Sequence, residues 1–132
     1  MHANTLRKYD KYPVAELKKK AQVVFNKFIR LRDKDLPCIS CGSWSTPQAG
    51  HYMSAGHHSA LRFNEDNTSR QCIKCNNFLS GNLINYRKGL VKKIGLERVE
   101  FLETYPKKAY IWDRFSLIEI IEKYKEKIKE FS

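Results

Sequence analysis

The sequence contains no apolar run near the roughly 18 residues that a membrane-crossing helix requires, so no membrane partner is expected. Its first residues, MHANTLRKYDKY, lack the apolar stretch of a secretory signal, and the expected location is the cytosol. Internal repeats, low-complexity tracts and linker-like stretches are absent, which excludes a solenoid or a string of separate modules. Acidic residues are scarce: 14 Asp and Glu stand against 25 Lys and Arg, for a formal net charge of +11 and a pI near 9.6. None of those acids falls between Asp35 and Glu65. The cationic excess favours a polyanionic partner, most simply nucleic acid, over a charge that serves solubility alone. An anionic membrane surface fits less well, because no helix pairs a fully basic face with an aromatic one.

What is present describes a folded chain of one domain, residues 1–132, with 42% hydrophobic and 30% charged residues. After Pro13, the positions Leu17, Ala21, Val24, Phe25, Phe28 and Ile29 recur at helical spacing and predict a helix of about 20 residues. Its other face carries Lys18, Lys19, Lys20, Lys27 and Arg30, a solvated or phosphate-facing set. Residues 36–79 mix Gly, Pro, Ser and Asn with short apolar pieces and read as short strands and loops held by metal. From Leu79 the pattern is helical again through Leu83, Ile84, Leu90, Val91 and Ile94, with Gly95 as the stop and a short helix at Glu97–Glu103. Ser116 and Glu119 read as a capping box opening a last helix, whose stripe is Leu117, Ile120, Ile121, Tyr124, Ile128 and Phe131. The chain therefore divides into a basic N-terminal helix (1–36), a metal-held core (37–95) and C-terminal helices (96–132).

Four cysteines form two Cys-x-x-Cys pairs, Cys38–Cys41 and Cys72–Cys75. In a reducing compartment such pairs hold metal more often than they form disulfides. Two tight turns, each presenting two thiolates, complete a tetrahedral Cys₄ zinc site, and Gly42 suits the sharp turn of the first. Thioredoxin-like redox chemistry leaves the second pair unexplained, and an iron–sulfur cluster would not need the basic surroundings. A closed Cys₄ site has no open coordination position, so this zinc is a staple.

Between the pairs, AGHYMSAGHHSALRFNEDN (49–67) concentrates His51, His57 and His58 and ends on Asn67. These residues resemble the HNH endonucleases, whose ββα-metal fold carries a histidine at the end of the first strand, an asparagine before the second Cys pair, and a His or Asn after the last cysteine. The matching positions are His51, Asn67 and Asn76. A wider resemblance, to the phage NinG/Rap recombination endonucleases, rests on CISCG (38–42), AGHY (49–52), LRFNEDN (61–67), QCIKCNN (71–77), SGN (80–82) and Tyr86-Arg87. The Cys-x-x-Cys-Asn ending is also similar to recombination endonuclease VII.

The resemblance implies an α+β, mostly α fold: a zinc-stapled, HNH-like ββα core with flanking helices. It implies a structure-selective endonuclease that hydrolyses phosphodiester bonds in Holliday junctions or flaps, phage- or prophage-encoded, in a bacterial host, and working as a homodimer. A strand-end histidine such as His51 takes a proton from water. One divalent ion acts as Lewis acid on the phosphate. Asn67 orients the ring or its loop, or caps a turn. Asn76, on the first turn of the helix after Cys75, offers a hard amide oxygen suited to Mg²⁺ or Mn²⁺, or N-caps that helix. HNH enzymes usually have Asp or His just before the histidine, and the NinG-like chains often have Asp three residues before it; this chain has Gly50 and Gln48 there. The ion's remaining ligand is then Gln48, His51 itself, a neighbouring histidine or a carboxylate folded in from elsewhere. If His51 is a ligand, His57 or His58 becomes the base. Arg62, Arg70, Lys74, Arg87, Lys88, Lys92 and Lys93 are the candidate phosphate contacts, while Tyr52 and Phe63 read as core. The rival expectation is a non-catalytic zinc module that binds nucleic acid and recruits a partner.

Overall fold

The computed structural model describes residues 1–131. Helix α1 (Ala3–Arg7) is followed by α2 (Val14–Arg32), whose buried positions Leu17, Ala21, Phe25, Phe28 and Ile29 are those of the apolar stripe. Pro13 stands at the N-cap with extended backbone, where its missing N–H costs no helical hydrogen bond. Strands β1 (Pro47–His51) and β2 (Thr68–Cys72) pair antiparallel, with Gln48 opposite Gln71 and His51 opposite Thr68. Helices α3 (Leu83–Ile94), α4 (Leu96–Glu103) and α5 (Arg114–Lys129) complete a mixed, mostly helical fold with one small two-stranded sheet. No helix of the described residues is long and apolar enough to cross a membrane.

Two hydrophobic clusters organise these elements. In the first, α2 packs along α5 through Leu17, Phe25, Ile29, Leu117, Ile121 and Tyr124, with Phe63 edge-on to Phe25. The N- and C-terminal helices therefore share one core instead of flanking the middle segment separately. The second gathers Tyr52, Leu61, Tyr86, Leu90, Val99 and Leu102 between the sheet region, α3 and α4. Tyr52 and Phe63 are both core, as their sequence context suggested.

Three local expectations need correction. Helix α3 begins at Leu83 and not at Leu79, because Lys74–Phe78 forms a π-type turn and Ser80, Gly81 and Asn82 all take positive φ before the helix starts. Leu83 and Ile84 are accordingly exposed, and Tyr86 and Leu90 supply the buried face. The capping box at Ser116 and Glu119 is not formed. Asp113 is the N-cap of α5, its carboxylate accepting from the Ser116 amide at 2.8 Å, so Ser116 lies inside the first turn. Gly95 does end α3, with φ +91°, and α4 follows at once.

Candidate functional site

The two cysteine pairs meet beside strand β2. In the first knuckle the Gly42 amide donates to the Cys38 carbonyl at 2.9 Å, and Gly42 takes φ +76°, a conformation open to glycine without strain. The Ile39 amide donates to the Arg70 carbonyl at 2.9 Å, which fixes this knuckle beside β2. Cys72 ends β2 and Cys75 lies in the π-type turn behind it. The four Sγ atoms lie within 4.8 Å of one another, and Cys41 and Cys72 are 3.7 Å apart. Tetrahedral zinc with Zn–S of about 2.3 Å sets sulfur atoms about 3.8 Å apart, so the four cysteines can hold a zinc ion. Two N–H groups already point at the sulfurs: the Cys75 amide at Cys72 and the Asn82 side chain at Cys75, each at 3.5 Å. Burial pushes the Cys75 thiol up to about 12. Burial also raises Cys38, but hydrogen bonds from the backbone around it outweigh that and leave it at about 7. Thiols this close do not all ionise side by side without a cation among them.

Next to this staple is a cleft of about 420 Å³ whose lining includes His51, His57, His58 and Asn76. Strand pairing puts His51 at the end of β1, and the Tyr86 hydroxyl, donating to the Gly50 carbonyl at 2.7 Å, ties that strand end to α3. The His51 Nε2 lies 2.8 Å from the Arg62 carbonyl. A carbonyl only accepts, so Nε2 carries the hydrogen and Nδ1 keeps its lone pair. Burial lowers the His51 pKa; the hydrogen bond to Arg62 opposes this and the Arg62 charge adds to it. The ring is therefore a neutral base at pH 7. His57 is exposed, whereas His58 has a buried Nδ1 without a protein partner.

Asn67 is fully buried, and its side-chain hydrogen bonds go to the backbone and not to the His51 ring. Its Oδ1 accepts from the Met53 amide at 2.8 Å, and its Nδ2 donates to the Met53 carbonyl at 2.9 Å and to the Leu61 carbonyl at 3.3 Å. These hydrogen bonds hold the loop that leaves β1. Asn76 is placed by the π-type turn and not by a helix start, which removes the N-cap role: the residue before α3 is Asn82. The Asn76 Nδ2 donates to the Gln48 Oε1 at 2.8 Å, which occupies Gln48 and leaves the Asn76 oxygen available to the cleft. No carboxylate lines this cleft, and the cysteines are the sole group of three or more metal-ligating side chains among the described residues.

The candidate phosphate contacts divide. Lys74, Lys88 and Lys92 are exposed. Arg62 donates to Gln22 Oε1 at 3.0 Å, and Arg70 donates to the Lys34 carbonyl and lies 5.5 Å from the Trp44 ring. Two others have internal employment. Arg87 makes a bidentate pair with Glu103, which also accepts from the Tyr52 hydroxyl. Lys93 donates to Asp33 at 2.8 Å and to Ser69 at 2.9 Å.

Asp33 is the residue that sequence reasoning missed. It is 2% exposed and also accepts from Arg32 and the Arg70 amide, so one carboxylate joins the end of α2, strand β2 and helix α3. Within RLRDKDL it reads as one more charge in a solvated run, and no local signal separates it from Asp35.

With this geometry, the relatives can be set beside the chain. The family described as Bacteriophage Lambda NinG protein matches residues 2–132. Protein ninG of Escherichia phage lambda is 43% identical over 114 residues, covering 85% of this chain and 55% of that protein. Protein ninG of Salmonella phage P22 is 42% identical over 114 residues, 85% of this chain and 56% of that protein. Protein ninG of Enterobacteria phage H19B is 48% identical over 88 residues, 65% of this chain and 44% of that protein. The chain thus spans about half the length of the curated relatives it matches, and no solved structure matches it. With a match running from residue 2 to residue 132, the chain belongs to the NinG family of bacteriophage proteins.

Proposed function

We propose that this NinG-family chain is a metal-dependent endonuclease of the HNH, ββα-metal kind that acts on branched DNA during phage recombination. One observation carries the reading: the zinc-competent staple and the strand pair bring His51 and Asn76 to the same cleft, although 25 residues separate them in the chain. His51 has the attributes of a general base, with a lone pair on Nδ1, a ring fixed through Nε2, and a lowered pKa that keeps it neutral. Asn67 contributes by holding the loop after His51 and acts at one remove from the chemistry.

The ion of this reaction would be Mg²⁺ or Mn²⁺, held on the protein side by the Asn76 amide oxygen, with Gln48 positioning Asn76 and His51 kept free as the base. Such an ion keeps much of its water and is commonly held by a few protein oxygens together with substrate phosphates, which suits a cleft with a single amide oxygen on offer. When bound, it stabilises charge developing on the phosphate. Lys74, Lys88 and Lys92, exposed on the π-type turn and α3, hold the DNA backbone. A four-way junction cut symmetrically needs two such sites, hence a homodimer.

A second reading has its own support. The cleft lacks a carboxylate, which favours a zinc-bearing module that binds nucleic acid without cutting it. Nicking of a synthetic four-way junction in Mg²⁺ or Mn²⁺ separates the two. The nuclease reading expects cleavage that falls about 10²–10⁴-fold in His51→Ala and needs more metal in Asn76→Ala. Junction binding with no metal-dependent nicking by the unaltered protein would leave the binding module.

A further inference from the structure

On the segment between α1 and α2, on α2 and on α5, none of which lines the histidine cleft, a groove of about 560 Å³ is lined by Lys8, Lys11, Lys19, Lys20 and Lys125. We propose that this groove is a second nucleic-acid site, taking the phosphate backbone of a duplex arm. The proposal rests on the nucleic-acid part of the function proposed above and adds to it where a flanking arm lies.

Charge selects the class of occupant. The ion pair of Lys8 with Glu122, at 3.1 Å, neutralises one of the five ammonium groups and leaves four cations around one concavity. The arrangement of the aromatic rings selects the mode of contact. Tyr9 and Tyr12 line the groove, but their faces are taken: Lys20 lies 4.3 Å and Lys11 5.2 Å from the Tyr12 centroid, and Lys125 lies 5.6 Å from that of Tyr9. Lys125 also donates to the Tyr9 hydroxyl at 3.2 Å. Rings covered by ammonium groups do not stack on bases, whereas ammonium groups held in place by rings and a hydroxyl are set out for phosphates. The walls between them are apolar, Val23 and Val24 on α2 and Ile121 on α5, and these suit the sugar edge of a backbone. Sequence-independent contact of this kind is what an arm of branched DNA offers.

Helix α2 connects this groove to the histidine. Lys19 lies nearly one turn from Gln22, whose amide oxygen accepts from Arg62, and the Arg62 carbonyl holds the His51 ring. One rigid element therefore carries both the groove wall and a support of the candidate base.

The test is fluorescence anisotropy of the protein on a labelled four-way junction, in EDTA, across a salt series. The comparison is with K11Q/K19Q/K20Q/K125Q, which replaces surface cations with neutral side chains; circular dichroism checks its fold. The expected result is a binding constant lower by at least about tenfold and a log K–log[salt] slope shallower by about 3 units, at about 0.9 per phosphate contact. Equal affinity and slope for the two proteins would overturn the groove while leaving the nuclease reading in place. No junction binding by the unaltered protein would overturn the nucleic-acid reading itself. Unchanged DNA binding, together with loss of binding to a labelled polyglutamate peptide, would assign the groove to an acidic protein and also overturn the proposal.

Discussion

At position 48 an amide stands where the resemblance to phage recombination endonucleases leads one to expect an acid, and its oxygen is occupied by Asn76. A neutral oxygen already accepting a hydrogen bond is a poor ligand for a hard cation, so the cleft is expected to bind Mg²⁺ or Mn²⁺ weakly without DNA. Gln48→Glu changes charge at constant length. It is expected to tighten Mn²⁺ binding by about tenfold or more in calorimetric titration, while the Asn76 amide still donates to position 48. Unchanged Mn²⁺ affinity would mean that position 48 is not near the ion. Asp33 is the other residue whose charge matters. Burial raises its carboxyl, but hydrogen bonds and charge from Arg32 and Lys93 outweigh burial and hold it below its ordinary value of 3.8. A carboxyl lowered in the folded state contributes stability that is fully present above that ordinary value and is lost as pH falls through the folded one. Asp33→Asn leaves the half-buried Lys93 ammonium without its buried carboxylate and is expected to cost about 3 kcal/mol at pH 7. In urea melts the advantage of the unaltered protein should shrink only below about pH 4. A gap that stayed constant from pH 7 to pH 2 would show that Asp33 acts through shape alone.

At the scale of elements, the site depends on how closely α3 approaches the first knuckle. A Cβ added at Gly89 would lie 2.1 Å from the Ile39 carbonyl oxygen, a backbone atom that has no rotamer by which to move aside. Gly89→Ala is expected to push α3 from the knuckle, lowering stability by about 1–3 kcal/mol and loosening the cysteine site. Denaturant melts and the rate of zinc loss to a chelator check this; a variant as stable and as slow to lose zinc as the parent would remove the contact from the account. The helix ends show where local signals suffice. Gly95 at the end of α3 was legible, because glycine there accepts a positive φ. The start of α3 was not, because Leu79, Leu83 and Ile84 carry the apolar pattern of a helix yet remain exposed. At α5, Ser116 and Glu119 satisfy the pattern of a capping box, but Asp113 caps first and leaves the serine no such role.

For the whole molecule, the two hydrophobic clusters stand differently to the cysteine site. The α2–α5 core contains no cysteine, whereas the histidine cleft is built on the segment that the cysteines close. Chelation of about one zinc per chain is therefore expected to dissolve the cleft while part of the helical circular dichroism persists. Thiol alkylation and elemental analysis would follow the metal. A single transition that abolished all helical signal on chelation would show instead that the staple supports both cores.

Taken by itself, the amino-acid sequence determined the cysteine pairing into one site, the strand-end position of His51, the long basic helix and the cationic character of the chain. The strand-end position of His51 came from the resemblance to the HNH endonucleases; the others follow from spacing or composition, which act locally or sum over the chain. The tertiary structure decided the rest. Asn67 holds a loop and not a ring, Asn76 reaches Gln48 from a π-type turn, and Arg87 and Lys93 are drawn into ion pairs. Asp33 becomes a hub, and lysines from the segment before α2, from α2 and from α5 converge on one groove. The physical reason is common to all of them: a polar side chain is defined by its partners, and the deciding partners lie far away in the chain, as with Asn67 and Met53, Asn76 and Gln48, or Lys93 and Asp33.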